Sequence, residues 1–269
     1  MYQDYEKLYD HVVTYAKDGP IATITLDCPE NKNRITEQLI DELGKALDEA
    51  NWDDEVRVVI LQGTGEWSFG PGDISVIKSK LAVNLRAGRK IMVEISNVVK
   101  KMMTMTKPII GIAEAGCVGG GCNLLLASDI VIAADTAWFM QVFADYALSP
   151  DTGGLWVLQH LVGPQKAKVL AMTAAPITAQ TALEMGMVYK VVPRDQLYEE
   201  ALSLARVIAS KSPVGINHIK QISNRLYDYT MDTYFQIEAD YLCLGSLSED
   251  FKEKNAAVAQ GREPVYKGI

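Results

Sequence analysis

Two glycine-rich turns carry the residues whose types and spacing could do chemistry: Ser68-Phe69-Gly70-Pro71-Gly72-Asp73 and Gly119-Gly120-Gly121-Cys122. Each follows a β-like run and opens a helix-like one. Without a Cβ, glycine lets bare backbone N–H groups point at a ligand beside the positive end of a helix. Two such turns facing one another would grip a single oxygen that becomes negative during a reaction. Taken singly, each also reads as a tight strand-to-helix connection. Neither fits a phosphate loop, for want of a Gly-Lys-Ser/Thr or a Gly-x-Gly-x-x-Gly pattern. Histidine occurs only at His11, His160 and His218, never beside a Ser or Cys in a nucleophile motif, so a histidine triad or histidine-rich metal site is not expected.

The chain of 269 residues is long enough for one large domain, or one domain with an appendage. Its balance of 48% apolar and 22% charged residues is that of a soluble globular protein. No apolar stretch reaches membrane-spanning length. The start, Met1-Tyr2-Gln3-Asp4-Tyr5-Glu6-Lys7, has neither the basic opening nor the apolar run of a signal peptide. Cys28, Cys117, Cys122 and Cys243 have no metal-type pairing and read as reduced thiols of a cytoplasmic protein. A formal net charge of −8 argues against nucleic acid or an anionic membrane as partner. A small anionic molecule stays open, because local basic groups decide that.

The elements that must position the turns follow from periodicity. Residues 10–17 and 20–27 read as a hairpin around Asp18-Gly19. Residues 36–50 have helical spacing, with Leu39, Ile40, Leu43 and Leu47 on one face. Residues 56–61 are a strand, and the first glycine turn follows. A long amphipathic helix over 84–105 stops at Lys107-Pro108. A strand over 109–113 leads to the second glycine turn, a short buried helix over 120–127 and a buried strand over 129–133. Helices are predicted over 151–162, 164–174 and 178–185, then a short strand over 188–192. From about 195 to about 261 the pattern is all helical and rich in tyrosine and charge.

At this point the chain resembles the crotonase (enoyl-CoA hydratase/isomerase) superfamily over nearly its whole length. The resemblance rests on pieces in order: Pro29-Glu30-Asn31-Lys32-Asn33, the first glycine turn with Ile74, Lys107-Pro108-Ile109-Ile110, and Gly116-Cys117-Val118 running into the second turn. It continues through Ala127-Ser128-Asp129-Ile130-Val131-Ile132-Ala133, Ala137-Trp138-Phe139 and Ala182-Leu183-Glu184-Met185-Gly186-Met187-Val188. It implies an α/β fold, a crotonase-like spiral of ββα units over residues 1–195 that binds acyl-CoA and carries catalysis. A C-terminal helical region over 196–269 would build a homotrimer or a dimer of trimers. The implied ligand is an acyl-coenzyme A thioester, so that coenzyme A arrives as part of the substrate, with no permanently bound cofactor and no metal. By position, the amides of Gly72 and Gly120 would hold the thioester oxygen as a neighbouring proton leaves.

The hydratases of this superfamily carry two glutamates across the acyl chain, and here those positions are Asn123 and Phe143. Neither exchanges a proton at neutral pH, which disfavours simple hydration. Asn123 is expected to bind substrate or a water, or to be a polar helix-start residue. Phe143 is expected in the acyl pocket or in ordinary core, with Trp138 and Trp156 as further candidate walls. The remaining acid is Asp151, in Leu148-Ser149-Pro150-Asp151-Thr152-Gly153-Gly154. That segment resembles the single-aspartate isomerases, among them the epoxyphenylacetyl-CoA isomerases. Asp151 precedes a helix-like run, so a capping role is the alternative and is compatible with catalysis. One carboxylate can run a 1,3-proton shift, taking a proton from one carbon and returning it two carbons away.

A dehalogenase-type relative would need a histidine where Ser96 stands. Asp145 reads as solvated or capping, and Asp73 and Asp129 as structural. At the nucleotide end the resemblance implies Lys32 as the phosphate partner and Lys220 as a lysine that reaches a neighbouring subunit's nucleotide; Arg34 stands where relatives usually have alanine and adds a second CoA-binding cation. Lys78 and Lys80 are further basic groups near the first turn. Two other readings stay open: a hydratase or cyclic-thioester hydrolase using a water held by Asn123 and Asp151, and a non-catalytic acyl-CoA-binding relative.

Overall fold

The computed structural model describes residues 9–269. The stretch Met1 to Lys7, read above for a signal peptide, lies outside the described residues. Strands β1 (Val13–Asp18) and β2 (Ile21–Leu26) form the expected hairpin, with Gly19 left-handed at φ 53° in the connection. Helix α1 (Glu37–Trp52) starts where the Thr36 hydroxyl accepts the Leu39 N–H, and it buries Leu39, Ile40, Leu43 and Leu47 as its periodicity predicts. After β3 (Val58–Gly63) and the first glycine turn come α2 (Ile74–Val83), capped by Asp73, and α3 (Leu85–Thr104), capped by Asn84. α3 buries Ile91, Ile95, Val98, Val99 and Met102 along one stripe.

The chain continues through β4 (Ile109–Ala113), β5 (Gly116–Val118), α4 (Gly119–Leu126), β6 (Ile130–Ala134) and β7 (Trp138–Met140). Then come α5 (Gly154–Val162), α6 (Pro164–Thr173), β8 (Ile177–Thr178), α7 (Ala179–Met185) and β9 (Lys190–Val192). It ends in α8 (Leu197–Ala209), α9 (Pro213–Ser223), α10 (Met231–Leu247) and α11 (Glu249–Gln260).

The main sheet runs β1-β2-β3-β4-β6-β9, with β1 antiparallel to β2 and every later neighbour parallel. Such a sheet is covered on both faces, which is why its strands read as continuous apolar runs. Alternation along each strand divides the core. Val59, Leu61, Ile109 and Val131 pack with α1, α3 and α4. Val58, Ile60, Ile110, Ile112 and Ile132 pack on the other face against Leu197, Ala201, Leu202 and Ala205 of α8. Each fully buried isoleucine or leucine contributes about 1.5–3 kcal/mol. α8, the first helix of the C-terminal stretch, thus belongs to the packing of the main sheet.

A second sheet, β5-β7-β8, was not legible in the sequence. Its strands are two or three residues long, too short to show a period. The other departure is at 151–162. The helix begins at Gly154, not at Asp151, because Thr152 (φ 54°) and Gly153 (φ 72°) are both left-handed and break the helical path.

Candidate active site

The two glycine turns lie side by side because the main chain ties them there. The Phe69 N–H donates to the Gly116 carbonyl at 3.2 Å, and the Val118 N–H to the Phe69 carbonyl at 2.8 Å. Phe69 itself is fully buried. Where the turns meet, Gly121 backs onto Phe69 and the Gly70 carbonyl so closely that a Cβ would overlap main chain.

Each turn presents an amide without a protein partner among the described residues. Around Gly72, the Ile35 N–H donates to the Pro71 carbonyl at 3.1 Å and the Asp73 N–H to the Ile35 carbonyl at 3.0 Å. This parallel pairing leaves the Gly72 N–H on the opposite side of the strand, without a protein partner among the described residues. Gly120 is the second residue of α4. The first N–H groups of a helix lack intrahelical partners, and the residue before α4, Val118, has no side chain to cap them. Gly72 and Gly120 line one cleft of about 500 Å³, a volume ordinary for a small-molecule site.

Asp151 lines the same cleft and a small apolar recess beyond it, between Ile35 and Ile95. Its Oδ1 lies 3.2 Å from where a Cβ on Gly120 would stand, so the carboxyl abuts the second turn. Burial pushes the Asp151 carboxyl above its ordinary value, and a hydrogen bond from the Thr152 hydroxyl to Oδ1 at 2.9 Å pulls the other way. No other residue donates to Oδ2 among the described residues.

The peptide bearing this side chain is held twice. Its carbonyl accepts the Gly154 N–H at 2.8 Å and Asn123 Nδ2 at 2.9 Å. Asn123 is fully buried, and its Oδ1 accepts from Gln141 Nε2 at 2.8 Å. A Cβ on Gly154 would overlap the Asn123 amide, so glycine there makes room for the bond.

Several expectations change at this point. Asn123 does not line the cleft; its amide nitrogen bonds the Asp151 carbonyl and its amide oxygen accepts from Gln141. Trp138 is also displaced from the substrate-wall role: its ring meets Trp67 edge-on at 5.5 Å and lies over Gly116, and Trp67 is the tryptophan that lines the cleft. Trp156 does not line the cleft; its ring meets His160 at 4.2 Å with a 58° tilt. Asp151 caps no helix, since Gly153 takes that position for α5. Phe143 is buried and lines the cleft. Asp145 is exposed, and Ser96 only returns a bond to the Met92 carbonyl.

At the mouth, Lys32 and Arg34 line the cleft together with Lys78, and the Lys32 ammonium sits 4.8 Å above the Trp67 ring. The turn that presents them is anchored by buried Asn33, whose Nδ2 donates to the Thr64 and Trp67 carbonyls. Lys80 is instead paired with Glu37 at 2.8 Å. Lys220 is corrected outright. Its side chain is 3% exposed, and its ammonium donates to Asp129 Oδ2 at 2.7 Å and to the Lys107 carbonyl at 2.9 Å. It ties α9 to the loop before β4, and a buried, paired ammonium is not offered to a nucleotide. Sequence reasoning missed Trp67, Gln141 and Thr152. Trp67 stands directly before the first glycine turn, the one signal that could have drawn attention to it.

Two glycine amides at the turns and a buried carboxyl thus lie together on one open cleft beside a parallel α/β sheet. Residues 16–268 match the family model described as enoyl-CoA hydratase/isomerase, and the chain belongs to that family, with its crotonase fold. Relatives include a 1,2-epoxyphenylacetyl-CoA isomerase of Escherichia coli K12, 30% identical over 97% of this chain and 100% of its own length. A short-chain-enoyl-CoA hydratase of Clostridium acetobutylicum is 33% identical over 93% of this chain and 95% of its own. Among solved structures, an enoyl-CoA hydratase from Bacillus anthracis superposes with a TM-score of 0.89 at 29% identity, covering 96% of this chain and 100% of that one. No helix among the described residues is long and apolar enough to cross a membrane.

Proposed function

We propose that this chain is an acyl-CoA double-bond isomerase in which Asp151 moves one proton between two carbons of an enolate held by the Gly72 and Gly120 amides. The observation that carries the reading is the placement of Asp151. Of the acids on the cleft and its recess, Asp73 spends Oδ1 on the Ser75 N–H and hydroxyl as the cap of α2, and Glu37 pairs with Lys80. Asp151 alone combines burial, a raised carboxyl and a carboxyl bonded only by its own backbone N–H and the neighbouring Thr152 hydroxyl.

The steps follow from charge. Ionised Asp151 takes a proton from the carbon next to the thioester, and the electron pair passes through the acyl π system onto the thioester oxygen. Two fixed N–H donors each stabilise that oxygen by about 3–4 kcal/mol. Asp151, now neutral, returns the proton two carbons away on the same face. Phe143 and the recess lined by Ile35 and Ile95 exclude water. Lys32, Arg34 and Lys78 at the mouth suit the phosphates of coenzyme A, which enters as part of the substrate.

That Asn123 is spent on protein partners speaks against hydration by a water it would hold. The hydratase relative keeps that chemistry as the alternative for the panel below.

The test is a panel of 3-enoyl-, 2-enoyl- and ring-type acyl-CoA thioesters followed by absorbance and mass. Conversion of 3-enoyl- to conjugated 2-enoyl-CoA with no change of mass is the expected result. Inert 3-enoyl-CoA beside rapid gain of water by 2-enoyl-CoA would sink the proposal. Only ionised Asp151 accepts a proton, and burial raises its carboxyl. The acid limb of kcat therefore falls at higher pH than an ordinary aspartate would give, and activity is lost as pH drops through it.

Assembly belongs to the same reading. No residue of α10 is buried, and Met231, Phe235, Leu242, Leu244 and Leu247 are exposed along it. Such a face fits an oligomer built through residues 196–269. Light scattering is expected to return three or six times the chain mass; a monomer at micromolar concentration would remove this part. The reduced cysteines, free at all four positions, fit the cytoplasm.

A further inference from the structure

The loop that carries Asp151 is built against local preference. Between the Asp151 carbonyl and the Gly154 N–H that donates to it, two successive left-handed residues intervene, Thr152 at φ 54° and Gly153 at φ 72°. This is the pattern of a type I′ turn, whose first central position favours Asn, Asp or Gly. A β-branched residue there is an outlier. Backbone conformations of this kind persist where the surroundings impose them, and they gather at functional sites.

The surroundings here are specific. Thr152 is buried at 2% exposure, and its hydroxyl reaches Asp151 Oδ1 at 2.9 Å. The left-handed backbone brings the hydroxyl of the following residue onto the carboxyl. The Asn123–Gln141 pair holds the peptide on which both depend.

We propose that Thr152 is a positioning residue for the proton shift: its hydroxyl occupies Oδ1 of Asp151 and leaves Oδ2 as the oxygen that accepts and returns the proton. This rests on the isomerase reading above. In the forward step the substrate C–H bond breaks, an O–H bond forms at Oδ2, and the electron pair goes to the thioester oxygen. In the return step the Oδ2–H bond breaks, the distal C–H bond forms, and the pair closes the new double bond. Throughout, Oδ1 keeps the Thr152 bond, so the carboxyl does not rotate between the two half-reactions.

Other charged groups face the same space. Glu37 on α1 pairs with Lys80 on α2, and Asp73 caps α2. Lys32, Arg34 and Lys78 lie at the mouth. From α3 the recess receives Ile91, Met92 and Ile95, which do not titrate. Cys122 on α4 is buried, with its thiol pushed up to about 12. None of these donates a hydrogen bond to Asp151 among the described residues.

The experiment compares Thr152→Ala, Thr152→Ser and Asp151→Asn with the parent. It measures kcat and KM on 3-enoyl-CoA, and the Asp151 carboxyl by carbon NMR of aspartate-labelled protein, with Asp151→Asn assigning the signal. Thr152→Ala is expected to lower kcat about tenfold, the scale of one hydrogen bond to a charged group, with KM unchanged. The Asp151 titration and the acid limb of kcat move together to higher pH, because the bond that favoured the ionised form is gone. Thr152→Ser restores both.

Unmoved kcat overturns the proposal, as does a loss that serine does not restore. The two readings fail separately. Activity surviving in Asp151→Asn removes the isomerase mechanism itself. An inactive Asp151→Asn beside an indifferent Thr152→Ala removes only the positioning role.

Discussion

Asp151→Asn is expected to lower kcat about 10³-fold, with binding of an acyl-CoA thioester retained. The substitution keeps the shape of the side chain and its acceptor oxygen, so the bond from the Thr152 hydroxyl, 2.9 Å in the parent, can persist. What it removes is the ability to take up and give back a proton. General acid–base catalysis contributes about 10²–10⁴-fold in enzymes, and in the proposed reaction one group serves both half-reactions. The Gly72 and Gly120 amides are untouched, so under the proposed mechanism their stabilisation of the thioester oxygen remains. Stability should hold or improve, because burial disfavours the charged form of this carboxyl and asparagine carries no charge. Single-turnover kinetics with calorimetric binding would separate the two effects. Turnover equal to the parent's would eliminate Asp151 as the base.

The second large effect concerns the meeting of the two turns. Gly121→Ala is expected to destabilise the protein by about 3 kcal/mol or more, at the upper end of overpacking costs. The added Cβ would stand 2.6 Å from the Phe69 carbonyl carbon and overlap the Gly70 carbonyl oxygen. Both are main-chain atoms, so no rotamer change relieves the contact. The turns must separate, and because each presents one amide of the cradle, kcat falls with stability. Gly44→Ala is the control. Gly44 lies inside α1, and its nearest would-be neighbours are flexible side-chain ends at 3.9 Å. Alanine there is expected to stabilise by about 0.5–1 kcal/mol through helix propensity. Denaturant unfolding of the pair reads the contrast, and a Gly121→Ala protein as stable as its parent would contradict the packing described here.

Much of the architecture was legible because its signals are local. Leu39, Ile40, Leu43 and Leu47 repeat at helical spacing and face the core as that spacing requires. The apolar runs read as strands over 109–113 and 129–133 form the middle of the parallel sheet, the second as Ile130–Ala134. The small sheet β5-β7-β8 left no such trace, since two or three residues carry no period.

The site divides in the same way. Gly72, Gly120 and Asp151 were named from the turns and from family resemblance, and the fold brings all three to one cleft. Phe143 was placed near it as well. Asn123 and Lys220 stand elsewhere than expected for a common reason: residue type and position do not reveal which partner consumes a polar group. Asn123 is taken by Asp151 and Gln141, and Lys220 by Asp129. Trp138 yields the cleft to Trp67, which arrives from another segment.

By itself, the amino-acid sequence determined the class of fold, the two glycine turns and the presence of one candidate acid, because periodicity and the lack of a Cβ act within a few residues of chain. Only the tertiary structure decided that the Thr152 hydroxyl, the Asn123 amide and the Gly120 turn converge on Asp151. Asn123 lies 28 residues from Asp151 along the chain. Contacts over such separations depend on how strands and helices stack, and burial, which raises this carboxyl, exists only once they have stacked.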